Sequence, residues 1–191
     1  MFGETVSPEA IEQLPLALFK GVIMEIRTSQ EVGQALAELS KESLLGFDTE
    51  TRPNFSPHPE SRHKTALLQL ASGHKAYLFR LPYCGIPIEL AALLGNPKIV
   101  KVGAAIRDDI IGLQVYRTFK AAGFVDVQMM AESRGIKEKS LRKMAAIILQ
   151  TRISKGQQLS NWENKELTEP QRRYAALDAW VCREIYLKLN R

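Results

Sequence analysis

The chain has 191 residues, of which 45% are apolar and 25% charged, and a net charge of +5. Such values belong to a single globular domain with a sizeable core and exclude a disordered or collagenous chain, and no apolar run is long enough to span a bilayer. Two cysteines (Cys84, Cys182) and three histidines (His58, His63, His74) outside any zinc-ligand spacing exclude a disulfide framework and a His-based zinc enzyme. The N-terminus shows no basic region followed by an apolar stretch, so it does not read as a signal peptide, and a reducing, cytoplasmic setting is expected.

Ser7-Pro8-Glu9 carries a helix-start signature for a short helix ending near Leu14-Pro15. Gly21 to Arg27 alternates as a strand. Thr28 and Ser29 then cap an amphipathic helix through Leu39, with Val32, Leu36 and Leu39 on one face. Leu44 to Glu50 is an apolar run leading into Asp48 and Glu50 and reads as a buried central strand. Side chains alternate across a strand, so the two acids share one face and Thr49 takes the other. Like charges side by side at a buried strand end are costly, and a divalent cation would relieve them. The alternative is pairing with Arg or Lys, or a solvated strand end.

Thr51 to Lys64, with Pro53, Pro57 and Pro59, is a loop leaving from the carboxylate end of that strand. Its aromatic residue, Phe55, either stacks on a base or pins the loop to the core. Thr65 to Ala71 and Lys75 to Leu81 form two strands joined by a tight hairpin at Ser72-Gly73-His74. Pro87 to Leu94 is a short helix stopped by Gly95-Asn96-Pro97, and Lys98 to Ala104 is another apolar strand. Ile106 to Phe119 runs at helical period. Gly123 to Val127 reads as a strand, Met129 to Gly135 as a helix, and Ser140 caps a helix through Leu149. Thr151 to Glu166 is irregular, and Thr168 caps a long final helix. This order predicts a mixed α/β sheet of five to six strands with helices on both faces.

Two further sets of acids stand where a site could use them. Val102 to Asp109 runs from a strand end through Gly103 into a helix start, placing Asp108 and Asp109 in the first turn. They point about 100° apart, so only one is expected to reach a shared cluster. In the final helix Tyr174 and Asp178, spaced i and i+4, share a face that is expected to be buried.

These motifs, Phe-Asp-Thr-Glu, Thr-Ala-Leu-Leu-Gln-Leu-Ala, Val-Gly-Ala-Ala-Ile-Arg-Asp-Asp and Tyr-Ala-Ala-Leu-Asp-Ala, together resemble the DEDDy 3′–5′ exonuclease family. That is the group of ribonuclease D and the Werner-syndrome helicase exonuclease domain. The likeness runs from about Gly21 to the C-terminus with the motifs in family order, and Leu159-Ser160-Asn161-Trp162 and Leu167-Thr168 resemble the segment before the family's last helix. It implies an RNase H-like fold over 1–191, with 1–20 as an N-terminal extension. It also implies a metal-dependent exonuclease that uses two Mg2+ or Mn2+ ions, roughly 3.5–4 Å apart, and releases 5′ nucleoside monophosphates. By position, Asp48 would bridge both ions, Glu50 and Asp178 would hold the first, Asp109 would anchor the second, and Tyr174 would orient the attacking water. Ribonuclease D-like proteins usually carry a helical domain after this one. The sequence ends at Arg191, so a stand-alone nuclease is expected, with a homo-oligomer or an accessory protein left open.

Nucleic acid, as single strands or 3′-recessed ends, is the expected partner, consistent with the basic balance, and DNA versus RNA is left open. Phe55, Leu67 and Gln69 are candidate walls around a terminal nucleotide, and Arg107, Arg152 and Lys155 candidate phosphate contacts. Trp162 is expected to be a packing anchor, and Asp126, Glu132 and Glu138 surface acids. The competing readings are a non-catalytic nucleic-acid-binding module, an RNase H-like endonuclease and an assembly protein that uses metal for stability.

Overall fold

The computed structural model describes residues 2–55, 63–154 and 156–191. Ser7 caps α1 (Pro8–Glu12) by accepting the Ala10 N–H. After β1 (Val22–Ile26), a Thr28–Glu31 capping box opens α2 (Ser29–Leu39), satisfying N–H groups that the first turn would leave orphaned. β2 (Leu44–Thr51), β3 (Thr65–Ala71) and β4 (Lys75–Arg80) then run antiparallel to one another in that order. One helical turn, α3 (Leu81–Cys84), precedes α4 (Ile88–Leu94). That turn shortens the expected strand by one residue, because Pro82 has no N–H to donate to the ladder. β5 (Val100–Gly103), α5 (Arg107–Gln114), β6 (Phe124–Asp126), α6 (Val127–Ser133), α7 (Leu141–Leu149) and α8 (Glu169–Leu189) complete the chain. α5 stops well short of Phe119. The apolar spacing that suggested a longer helix comes from Tyr116 and Phe119, which pack on the core from an irregular segment.

The sheet is mixed and six-stranded, in the order β1-β4-β3-β2-β5-β6, with β1 parallel to β4 and with β5 and β6 parallel to β2. Period-two alternation sends Leu45 and Phe47 of β2 to one face, with Leu68, Leu70 and Phe79, under α2, α4 and α5. The opposite face carries α6, α7 and α8. α8 lies almost backbone to backbone on β2: a Cβ at Gly46 would stand 1.8 Å from the Ala179 carbonyl oxygen. Small side chains, Ala175, Ala176 and Ala179, line that part of the helix against the strands. No helix among the described residues is long and apolar enough to cross a membrane.

Candidate active site

β2 delivers Asp48 and Glu50 to the α8 face because they are two residues apart on a pleated strand, and α8 delivers Asp178 from above. Candidate ligand oxygens of these three carboxylates lie within 4.8 Å of one another. Asp48 and Glu50 are half-buried and Asp178 is buried, at 6% exposure, on the floor of a groove of about 610 Å³. No side-chain cation relieves them among the described residues. Burial, and then the Asp178 and Asp109 charges, hold the Asp48 carboxyl well above its ordinary range. Burial and its three acidic neighbours push Glu50 up to about 10. Burial raises Asp178 to about 7 against the opposing hydrogen bond from Tyr174. One oxygen of Asp178, Oδ1, is buried with no partner. Hard oxygen donors crowded together, mutually repelling and with one lone pair unmet, suit a divalent cation such as Mg2+ or Mn2+.

Tyr174 lies one turn before Asp178 and hydrogen-bonds its carboxylate. Its ring packs on Trp162, centroid to centroid 6.1 Å. Trp162 is fully buried, as expected of an anchor for its segment. Burial and then the Asp178 and Glu50 charges raise the Tyr174 phenol above its ordinary range, so the hydroxyl keeps its proton.

Asp109 is brought near but not into the trio. Its carboxylate accepts from the Thr49 hydroxyl at 2.5 Å, on the other side of β2. Asp108 is exposed. Gly103 shapes this corner, since a Cβ there would stand 2.8 Å from the Phe47 carbonyl oxygen. Asp126 is more than a surface acid. It caps α6 through the Gln128 N–H at 2.8 Å and also accepts the N–H of Ala105, which holds a positive φ of 56°. Glu138, likewise, is paired with Lys143 at 2.9 Å.

The proposed substrate contacts divide. Phe55 is 83% exposed and so does not pin its loop to the core. Leu67 is fully buried against Leu78, Trp162 and Ala175 and is a core residue that substrate cannot touch. Gln69 is also fully buried, which removes it as a direct contact. Arg152 is used structurally: it pairs with Leu16 through the backbone and its Nε donates to the Leu14 carbonyl, stapling the N-terminal segment. Arg107 is exposed at the start of α5 and does not line the groove. Lys155 lies outside the described residues.

A basic wall had no place in the sequence reading. Lys139, Arg142 and Lys143, around the N-terminus of α7, line the groove with the trio. Arg142 is paired with Glu12 and Lys143 with Glu138, while Lys139 has no acidic partner among the described residues. The available signal was the density of cations in Lys137 to Lys143, a run that usually marks a solvated face.

A family model described as 3′-5′ exonuclease matches residues 23–191. The chain is 36% identical over 153 residues to exonuclease 3′-5′ domain-containing protein 2 of Drosophila melanogaster, covering 78% of this chain and 25% of that protein. It is 34% identical over 158 residues to the bifunctional 3′-5′ exonuclease/ATP-dependent helicase WRN of Mus musculus, covering 80% of this chain and 11% of that one. It therefore spans a quarter or less of the length of these two relatives. Among solved structures, Escherichia coli RNase D, an exoribonuclease involved in structured RNA processing, superposes with a TM-score of 0.79 at 22% identity, over 88% of this chain and 44% of that one.

Proposed function

We propose that this chain, which belongs to the 3′–5′ exonuclease family, hydrolyses phosphodiester bonds at nucleic-acid 3′ ends and releases 5′ nucleoside monophosphates. The observation that carries the reading is the trio itself, three carboxylates within 4.8 Å in an open groove with no side-chain cation among the described residues. Asp48, Glu50 and Asp178 would hold divalent metal, with Asp109 as the fourth acid by motif register. When bound, such ions supply Lewis-acid stabilisation of the phosphoryl oxygens and a nucleophilic water at neutral pH.

The chain's own residues account for the rest. A protonated phenol is a poor base but a good donor, so Tyr174, fixed by Asp178 and Trp162, orients the attacking water rather than deprotonating it. Lys139 attracts the phosphate backbone from the groove wall, and Arg142 and Lys143 add positive potential already partly neutralised by their acids. Exposed Phe55 follows β2 closely and offers a stacking face for a base.

The test is a denaturing-gel time course on a 5′-labelled single strand, as DNA and as RNA, with Mg2+, Mn2+ or EDTA, beside Asp48→Ala and a circular substrate. The expected result is a metal-dependent ladder shortening from the 3′ end, absent in the variant, with the circle intact. Binding without a ladder in either metal would favour the non-catalytic module, and cutting of the circle would favour an endonuclease.

A further inference from the structure

Gln69 is a fully buried polar side chain beside the trio, and nothing among the described residues satisfies it. Its exposure is 0%, and both its Oε1 and its Nε2 are buried without a hydrogen-bond partner. Leaving a buried amide unpaired is costly, so native structures rarely keep one without a use. Its position says what the use is. In the β2–β3 ladder Gln69 stands directly opposite Asp48, and Leu67 opposite Glu50. Facing residues of an antiparallel pair project to the same side with their Cβ atoms about 5 Å apart. The Gln69 carboxamide therefore sits in the layer beneath α8, beside Asp48, the acid shared by both parts of the proposed metal site. On the helix above, the Asp178 Oδ1 is also buried and unpartnered. The Gln69 amide and the Asp178 Oδ1 are thus a donor and an acceptor in one buried layer, each without a partner among the described residues.

We propose that Gln69 is a positioning residue of the metal site, its carboxamide N–H donating to the Asp48 carboxylate when a divalent cation occupies the trio. The inference rests on the metal-dependent reading above and adds a residue that touches neither substrate nor ion. The amide cannot take a cation's place as a counter-charge, but it fixes which Asp48 oxygen faces inward. Groups behind metal ligands commonly set affinity by tenfold or more through orientation alone.

The decisive variant is Gln69→Met, which keeps length and volume but removes both hydrogen-bonding atoms. Three readouts are taken on the intact chain: melting temperature in EDTA, Mn2+ affinity by titration calorimetry, and kcat and KM on a labelled single strand. The expected pattern is a melting temperature equal to or above wild type, Mn2+ binding weakened about tenfold, and kcat reduced with KM little changed. A purely structural glutamine would give the opposite, with lower stability and unchanged metal affinity. Wild-type Mn2+ affinity and kcat in the variant overturn the proposal while leaving the exonuclease reading intact. A wild-type protein that takes up no Mn2+ overturns both. A second measurement needs no variant: in amide NMR of the wild type, the Gln69 side-chain protons should shift downfield on adding Mg2+, relative to buried Gln171. Unmoved Gln69 resonances under saturating Mg2+ also overturn it.

Discussion

Positive and negative charge are buried in this molecule on opposite terms. Arg80 is fully buried, yet its guanidinium donates to Glu25 at 2.7 Å and to the Asn164 carbonyl, and lies 5.3 Å from the Tyr83 ring centroid. Lys101 is equally buried, and its ammonium donates to the carbonyls of Asn96 and Ile99, each at 2.8 Å. Both cations are met from within the chain. Asp48, Glu50 and Asp178 have one another for neighbours and no cation among the described residues, although the chain as a whole is basic, at +5. The buried cations are compensated by groups of the chain, whereas no described Lys or Arg pairs with the trio. Among the described residues, that contrast sets the trio apart as a place suited to charge brought from outside, whereas Arg80 and Lys101 belong to the fold.

The largest effect that tests this contrast comes from Asp48→Asn. Loss of a metal ligand should lower kcat on the order of 10³-fold, since such ions contribute several kcal/mol to the transition state. In EDTA the same change should raise the melting temperature, because it removes a like-charge neighbour. A lower melting temperature in EDTA would mean that the trio is internally satisfied after all. Arg80→Met should do the reverse. It takes one of two cations from Glu25, which keeps Arg27, and the donor from the Asn164 carbonyl, and should cost about 2 kcal/mol of stability, read by denaturant unfolding. Metal affinity should change little if the two regions are separate; a tenfold loss would join them.

The smallest effect is in pH. The raised carboxyls, Asp178 at about 7 and Glu50 at about 10, bind protons more tightly folded than unfolded, where carboxylates titrate near 4. Their contribution to stability is therefore complete below about pH 4 and is lost as pH rises through the folded values. In EDTA the melting temperature should fall from about pH 5 to about pH 9, and Mg2+ should remove most of that decline, stabilising more the higher the pH. A metal-free melting temperature that rises across this range would break the comparison at its electrostatic root.

Much of this was legible before any coordinates. Strand alternation alone placed Asp48 and Glu50 together, and the i, i+4 spacing placed Tyr174 beside Asp178, because both follow from local geometry. The caps at Ser7, Thr28, Ser140 and Thr168 were readable for the same reason. What was missed depends on distant neighbours. Arg152 looked like a phosphate contact until the backbone at Pro15 and Leu16 claimed it. Leu67 and Gln69 were placed on the right face, but their complete burial is set by α8 and Trp162, more than ninety residues away in sequence. The Lys139 wall depends on α7 packing against α8 beside the trio, and no periodicity encodes that. Asp109 stands outside the trio with its carboxylate on the Thr49 hydroxyl, a contact between distant residues that no local spacing encodes.

The approach of α8 to β2 at Gly46 and Ala179 bears on more than packing. Where two elements meet through long side chains, their separation can drift as rotamers adjust. Here the gap is closed by backbone atoms, which have no rotamers to spend. Gly46 is two residues before Asp48, and Ala179 directly follows Asp178, so this hard stop lies beside the pair of acids that come from different elements. It works like the fixed jaw of a caliper. The opening between Asp48 and Asp178 is a machined dimension of the scaffold, and even one methyl group added at position 46 would reset it.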